Sequence, residues 1–457
     1  MILKKDQLSR YMRQMIIPEI SSNGQENILA SSTVIHSECV EAAAFALYYL
    51  AASGVGEASC CIDDTDGWDE LSSKLSDLNG DIRFRLKTGK DKIAIVRAST
   101  RIVSGNPQYV RKALKNIMNS DTGEKFIPTI ITLNYGWRGT IRTFQSKAEL
   151  SEFLSELEKW PGFNSFDPIS HGHKLSGYFS SLMAVQEHLK LVLSIGKPLV
   201  NALYYDLFKI EFETVSNIPG LFYRLDRLEP VENNAATLSD AKVLIAGCGG
   251  LGSPAAYSLT SIGIGSLGLV DNGRVELPDL NRQILHSSSR LGMAKVNSAE
   301  IFLKDINSLT QFSLHNVKLK KENIREIIKS YDMIIGCLDS LNDRYMLNDA
   351  CLAEGKPLVE AGVMDISGLV TSIIPGKGHC YRCIFPEGST YNAETEAGIL
   401  GSIPGLLGIL QAAEAVKLIS GTGRPLKNKL LLLDAFDTDI YIINSARSLS
   451  CKACSGI

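Results

Sequence analysis

The sequence has no excess of charge of either sign. Forty-seven basic residues (47 Lys and Arg) stand against 50 Asp and Glu, a formal net charge of −3 over 457 residues. A chain so balanced offers no polycation to neutralise a nucleic-acid backbone and no acidic tail. A secretory leader is not expected, because Met1-Ile2-Leu3-Lys4-Lys5-Asp6 turns polar before an apolar segment can form. The longest weakly polar stretch, residues 42–56, falls short of the ~18–20 residues that cross a bilayer. Ten cysteines in so long a chain do not make a secreted disulfide scaffold, so the expected compartment is the cytosol. What remains is ordinary globular composition, 45% hydrophobic and 21% charged, and a length of about three typical domains' worth of chain, which predicts two or three domains.

The most informative segment is Lys242-Val243-Leu244-Ile245-Ala246 running into Gly247-Cys248-Gly249-Gly250-Leu251-Gly252, with a helical pattern from Ser253 onward. A strand, a GxGxxG turn and a helix form a cradle whose backbone N–H groups face phosphate. A second apolar strand, Leu267 to Val270, ends at Asp271, at the distance from the glycines where a ribose-binding acid belongs. The strand patterns around Met333–Cys337 and Lys356–Val359 flank a helical stretch, Asp343 to Glu354. Alternation of this kind predicts a mostly parallel, doubly wound α/β sheet.

A weak internal repeat organises the whole chain. Glu414-Ala415-Val416-Lys417-Leu418 leads through Gly423-Arg424-Pro425-Leu426 to Asp434-Ala435-Phe436. Half a chain earlier, Glu187-His188-Leu189-Lys190-Leu191 leads through Gly196-Lys197-Pro198-Leu199 to Asp206-Leu207-Phe208. The expected layout is a degenerate copy over 1–220, a linker over 221–240 and an intact copy over 241–457. The first copy lacks the glycines: Ser37-Glu38-Cys39-Val40-Glu41-Ala42 stands where the second has its loop. Side chains there block the approach of phosphate, and two carboxylates repel it. Residues 66–172, with Trp137 and Trp160, read as an insertion without a counterpart of that length in the second copy.

Taken together, the glycine loop, Val270-Asp271, Asp279-Leu280-Asn281-Arg282-Gln283, Lys295, Cys337-Leu338-Asp339, two CxxC pairs and the run Gly398–Gly405 resemble the MoeB/ThiF/HesA adenylyltransferases, relatives of the ubiquitin-activating enzymes. The N-terminal signature Arg10-Tyr11-x-Arg13-Gln14-x-x-x-Pro18 adds to the resemblance. The family uses ATP and Mg2+ to adenylate the C-terminal carboxylate of a small protein or peptide. The resemblance implies tandem Rossmann-like domains arranged as a pseudo-dimer, of which only the second binds ATP. It implies nucleotide contacts from Gly247, Gly249, Gly250, Gly252, Asp271, Asp279, Asn281, Gln283 and Arg344. Arg282 and Lys295 would meet the phosphates, Asp339 would hold Mg2+, and Arg13 would be donated to the ATP site from the first copy. Asn348, one helical turn beyond Arg344, is expected to line the same crevice. His286 is expected to be structural.

Cys380, Cys383, Cys451 and Cys454 have the residue types and pairing of a closed zinc site, with free or redox cysteines as the alternative. Two departures from the family pattern matter. Asp279 stands where the family usually has Asn, so one nucleotide contact is expected to change. The run Asn392–Ala397 carries no cysteine, which disfavours a covalent thioester and leaves the acyl-adenylate as the expected product. The segment 385–396 is the expected crossover loop over the substrate tail. The expected substrate is a ubiquitin-like sulphur-carrier protein. A ribosomally made precursor peptide, a non-catalytic nucleotide-binding scaffold and a nicotinamide oxidoreductase are the alternatives, and the chain is expected to work as a monomeric pseudo-dimer or a homodimer.

Overall fold

The computed structural model describes residues 3–87, 98–120, 125–160, 171–225, 235–387 and 398–455. The chain divides into two compact units, Met1–Val231 with Phe436–Thr438, and Glu232–Ala435 with Asp439–Ile457. Helices lie at both edges of the segment expected to be a linker: Ile218–Leu225 buries Leu221, Phe222 and Leu225 in the first unit's core, and Ala235–Asp240 precedes the second sheet.

The first unit is built on β1 (Ser32–Cys39), β2 (Glu57–Asp64), β3 (Arg83–Leu86), β4 (Thr100–Gly105), β5 (Thr129–Tyr135), β6 (Arg138–Phe144), β7 (Ala202–Asp206) and β8 (Glu211–Val215). The second uses β9 (Lys242–Ala246), β10 (Ser266–Val270), β11 (Gln311–His315), β12 (Met333–Gly336), β13 (Leu358–Met364), β14 (Ser367–Ile373), β15 (Lys429–Asp434) and β16 (Asp439–Asn444). The strand orders are β3-β2-β1-β4-β5-β6-β7-β8 and β11-β10-β9-β12-β13-β14-β15-β16, the same permutation twice. In each sheet the first five strands in that order are parallel and the last three are antiparallel.

The expected mostly parallel sheets are therefore mixed. Only two residues separate β5 from β6 and β13 from β14, and so short a turn can join only antiparallel strands. Each turn starts with a left-handed residue, Gly136 (φ 55°) and Asp365 (φ 52°). Residues 66–172 are also not an insertion. They contain β3 to β6, the counterparts of β11 to β14. The scaffold persisted there after the sequence likeness was lost.

Behind each antiparallel extension runs a long helix, His171–Leu193 in the first unit and Ser402–Ser420 in the second. Ser402–Ser420 is long and apolar enough to cross a bilayer, unlike residues 42–56, but 89% of its apolar window is buried within the protein. It packs on β13, β14 and the helix Gly252–Ser261. Each long helix carries a fully buried ion pair one turn apart, Glu187–Lys190 and Glu414–Lys417. The carboxylates have equivalent partners. Glu187 Oε2 accepts from Thr143 Oγ1 (2.7 Å) and Leu199 N (2.8 Å), and Glu414 Oε2 from Ser372 Oγ (2.5 Å) and Leu426 N (2.6 Å). The ammonium groups donate to Lys197 O (2.5 Å) and Arg424 O (3.2 Å). The repeated Glu-x-x-Lys and Gly-x-Pro-Leu of the sequence are thus the two halves of one staple.

Removing one partner of such a pair strands a charge in the core. Lys417→Met and Lys190→Met are each expected to lower stability by about 3–5 kcal/mol, measured as a shift of the urea unfolding transition of the affected unit.

Candidate active site

In the second unit, the loops after β9 and β12 leave from the carboxyl ends of adjacent strands, Gly336 pairing with Ala246. The crevice of an open α/β sheet lies at such a switch point. Gly247 bonds back to Val270 O (2.9 Å) in a left-handed conformation (φ 105°), and a Cβ there would lie 2.5 Å from Cys337 O. A Cβ on Gly252 would lie 1.9 Å from Gly247 O. Those two glycines are demanded by the fold itself. Gly249 is different, since its Cβ would meet nothing closer than Gln283 Nε2 at 3.6 Å. The loop is left open there, as a surface that phosphate approaches must be.

Asp271, half-buried just beyond β10, laces this loop: its Oδ2 accepts from Cys248 N (2.8 Å) and its Oδ1 from Gly273 N (2.7 Å). Each carboxylate oxygen keeps acceptor capacity for a ligand hydroxyl. From below, His286 Nε2 lies 3.0 Å from Cys248 O and Nδ1 3.0 Å from Ser298 Oγ. Burial pushes this imidazole down to about 3, so it is neutral. Because a carbonyl only accepts, Nε2 carries the proton and Nδ1 accepts from Ser298. His286 thus fixes the Cys248 carbonyl, a positioning role.

Lys295 opens the helix Lys295–Ile306, and Arg282 follows the short turn at Leu277–Asp279. Asp279 brings them together. Its Oδ2 is 3.1 Å from Lys295 Nζ, its Oδ1 is 3.8 Å from Arg282 Nη2, and Gln283 Nε2 donates to Oδ1 at 2.7 Å. Arg282 Nη1 also donates to Pro278 O (2.8 Å) and Asn281 Oδ1 (2.9 Å). Two buried polar atoms flanking Arg282 lack partners among the described residues, Asn281 Nδ2 and Gln283 Oε1. Gly250 sits against the Arg282 stem, and a Cβ on Gly401 would strike Asn281 O at 2.4 Å. Gly401, in the middle of the 398–405 run, thereby lets that segment back up the Arg282 turn.

Asp339 is exposed, two residues past Cys337, at the rim of this crevice. Arg344 and Asn348 are buried and held by protein partners. Arg344 donates from Nε to Leu338 O (2.8 Å) and from Nη1 to Ala361 O (2.8 Å), so it holds the strand-to-helix turn that carries Asp339. Asn348 accepts from Tyr381 N (2.9 Å) beside the cysteine cluster, and the Tyr381 side chain is also a hydrogen-bond partner of Arg344. Beside Arg344 lies Glu360 on β13, a residue that the sequence motifs did not single out. Burial pushes its carboxyl up to about 7, against the pull of the Arg344 guanidinium.

The four CxxC cysteines converge. Sγ–Sγ distances are 3.7 Å (Cys380–Cys383), 3.6 Å (Cys380–Cys451) and 3.5 Å (Cys383–Cys454), and all four lie within 4.8 Å of one another. These separations are too long for disulfides and close to the roughly 3.8 Å edge of a tetrahedron with 2.3 Å zinc–sulphur bonds. Ser448 N donates to Cys383 Sγ (3.4 Å), a bond that stabilises a thiolate. The group could hold a metal ion. Residues 388–397, most of the expected crossover loop, lie outside the described residues.

The first unit's switch point is closed by its own residues. β1 runs through Cys39 where β9 has already given way to glycines, and Glu38 accepts from Asn106 N (2.7 Å) and Asn106 Nδ2 (2.8 Å). A fixed carboxylate at this turn repels phosphate. Arg13 lies in the last turn of the helix Lys5–Met15 of this unit.

In the second unit, an open glycine loop laced by Asp271 lies beside a cluster of Lys295, Arg282 and Asp279 on a doubly wound α/β sheet, the architecture of a nucleotide-binding domain. Residues 226–453 match the ThiF family model; this half of the chain is a ThiF family domain of the MoeB/ThiF type. The adenylyltransferase and sulfurtransferase MOCS3-1 of Drosophila pseudoobscura pseudoobscura is 44% identical over 200 residues, 43% of this chain and 44% of that protein. The adenylyltransferase and sulfurtransferase MOCS3 of Xenopus laevis is 40% identical over 222 residues, 48% of this chain and 49% of that protein. The chain spans about half the length of the curated relatives it matches. E. coli MccB with MccA-N7isoASN aligns over 48% of this chain and 68% of that chain at 25% identity, with a TM-score of 0.46.

Glu360 and His286 tie stability to pH in opposite directions. Glu360 is raised in the folded state, so its contribution is full below the unfolded carboxyl value near 4.5 and is lost as pH climbs through about 7. His286 is lowered, so its contribution fades as pH falls from 6.5 toward 3. The two slopes offset each other in the wild type between 4.5 and 6.5. The Glu360→Gln variant isolates one of them: its stability relative to wild type is expected to rise by about 3 kcal/mol from pH 4.5 to 7, read by urea melts across that range.

Proposed function

We propose that the second unit is an ATP-dependent adenylyltransferase that activates the C-terminal carboxylate of a small ubiquitin-like, sulphur-carrier protein. The observation that carries this reading is the meeting of Lys295 and Arg282 beside the open face of the loop at Gly249. The relatives' names support it, since they are adenylyltransferase and sulfurtransferase proteins.

In this reading a carboxylate oxygen of the substrate attacks the α-phosphorus, and the bond from that phosphorus to the bridging oxygen breaks as pyrophosphate leaves. Backbone N–H groups of 247–252 and the N-terminus of the helix Gly252–Ser261 hold the phosphates, with the unpartnered Asn281 Nδ2 as a spare donor. Asp271 takes the ribose hydroxyls. Arg282 and Lys295 meet the charge that builds on the phosphates, which lowers the barrier because they are in place beforehand. The exposed Asp339 carboxylate is a suitable oxygen ligand for Mg2+, which supplies further neutralisation of phosphate charge when bound. The product is the acyl-adenylate, handed to an external nucleophile.

Carboxylate-dependent exchange of pyrophosphate into ATP tests the reaction. We expect exchange with a ubiquitin-like protein ending in a free carboxylate and a fall of about 100-fold in Lys295→Ala or Arg282→Ala. Exchange only with a short peptide would transfer the assignment to precursor-peptide activation. No exchange with either would leave a nucleotide-binding scaffold. Arg13→Ala, run in the same assay, tests the role that the N-terminal motif assigns to Arg13, and unchanged exchange would remove it.

We further propose that Cys380, Cys383, Cys451 and Cys454 hold a structural zinc ion, which ties the C-terminal segment to the short helix Tyr381–Ile384. Elemental analysis is expected to find one zinc per chain, and Cys451→Ser to lose it together with a lower melting temperature. Metal-free protein with an unchanged melting curve would exclude the ion.

A further inference from the structure

The two cations that the proposed reaction needs share one buried anion. Asp279 and its two partners are each 12–15% exposed at the side chain, and the carboxylate contacts both, Lys295 Nζ at 3.1 Å and Arg282 Nη2 at 3.8 Å. The carboxylate is itself fixed. Glu276 N donates to Oδ2 (3.0 Å), Gln283 Nε2 donates to Oδ1 (2.7 Å), and Gln283 N bonds to the Asp279 carbonyl (3.0 Å). Gln283 Nε2 is also the group nearest to the open side of Gly249, which places this cluster at the phosphate end of the loop. Of the two positive charges facing that end, one is already balanced by a residue of the protein.

We propose that Asp279 is a positioning residue that acts as a resident counter-anion: it holds Lys295 and Arg282 in place before nucleotide arrives and competes with the polyphosphate for their charge. The inference rests on the nucleotide reading of this site. Its physical content is a trade between two effects. Preorganised cations stabilise the transition state without moving. A fixed negative charge a few ångströms from them weakens the hold on any bound polyphosphate, substrate and departing pyrophosphate alike, in a medium of low dielectric. An enzyme that must release pyrophosphate gains from weak ground-state binding, because only the interactions that strengthen in the transition state accelerate the reaction.

Asp279→Asn keeps the shape and one acceptor oxygen while removing the charge. Calorimetric titration with ATP, and separately with inorganic pyrophosphate, is expected to show about tenfold tighter binding of both. The gain should shrink as salt is raised, and in exchange assays the KM for ATP should fall while kcat falls with slower pyrophosphate release. Asp279→Ser, smaller and also neutral, should tighten binding in the same direction, whereas the charge-retaining Asp279→Glu should stay within a few-fold of wild type. A merely structural role for Asp279 predicts weaker binding in all three. Wild-type binding of both anions with no tightening in either neutral variant overturns this inference alone. A wild type that binds neither anion overturns the nucleotide reading and this inference with it.

Discussion

The interaction on which the second unit's architecture turns is the buried ion pair Glu414–Lys417. One carboxylate oxygen bridges three pieces of chain: the helix Ser402–Ser420, strand β14 through Ser372, and the approach to β15 through Leu426 N. Two charges in a dry core are costly unless every remaining lone pair and proton is used, so the pair tolerates little sliding of the helix. That fixity reaches the site. A Cβ on Gly408 of this helix would lie 2.5 Å from Leu251 O, at the start of the glycine-loop helix. The helix so stapled to the sheet is the floor on which the phosphate-binding turn rests.

The first unit is a natural control for this account. It keeps the staple, with Glu187, Lys190, Thr143 and Leu199 in equivalent places, and it keeps the strand permutation. It has lost the glycines and fills the vacated corner with Glu38 bound to Asn106. The ion pair therefore belongs to the scaffold, since it survives where the nucleotide chemistry does not. The same comparison explains why residues 66–172 read as an insertion. The motifs that mark the matching part of the second unit are its site residues, and once those were replaced only alternating apolar strands remained to be recognised.

What was legible in the sequence was coded locally or by pairs of like residues. The glycine turn, the acid after β10, the two CxxC pairs and the repeated Glu-x-x-Lys needed no knowledge of the fold. What was not legible depends on partners far along the chain. His286 meets Cys248 O and Ser298, Glu360 meets the charge of Arg344, and Asn348 turns to Tyr381. Asn348, one turn after Arg344 on the same helix, suggests a shared crevice, but both positions are buried and both side chains are engaged by the protein, Tyr381 being a partner of each. By sequence alone, Asp279 implies an altered nucleotide contact. In the structure its carboxylate is already engaged by protein donors, and an Asp-for-Asn difference says nothing of that until Lys295 is seen beside it.

The helix Leu341–Ala353 connects the two chemically distinct ends of the second unit. At its start, Ser340 caps the backbone at Asp343 and Arg344 holds the carbonyls of Leu338 and Ala361, which fixes the turn bearing Asp339. Further along, Asn348 accepts from Tyr381 N, and Asp349 grips Arg382 through Nε and Nη2 at 2.9 and 2.8 Å. Tyr381 and Arg382 are the two residues between Cys380 and Cys383, and the Arg382 guanidinium also stacks over the Tyr345 ring at 4.3 Å. The cysteine cluster is thus braced against the same rigid element that sets the Asp339 turn. The cysteine cluster and the Asp339 turn, far apart in sequence, are both hydrogen-bonded to one helix, at Asn348 and at Arg344.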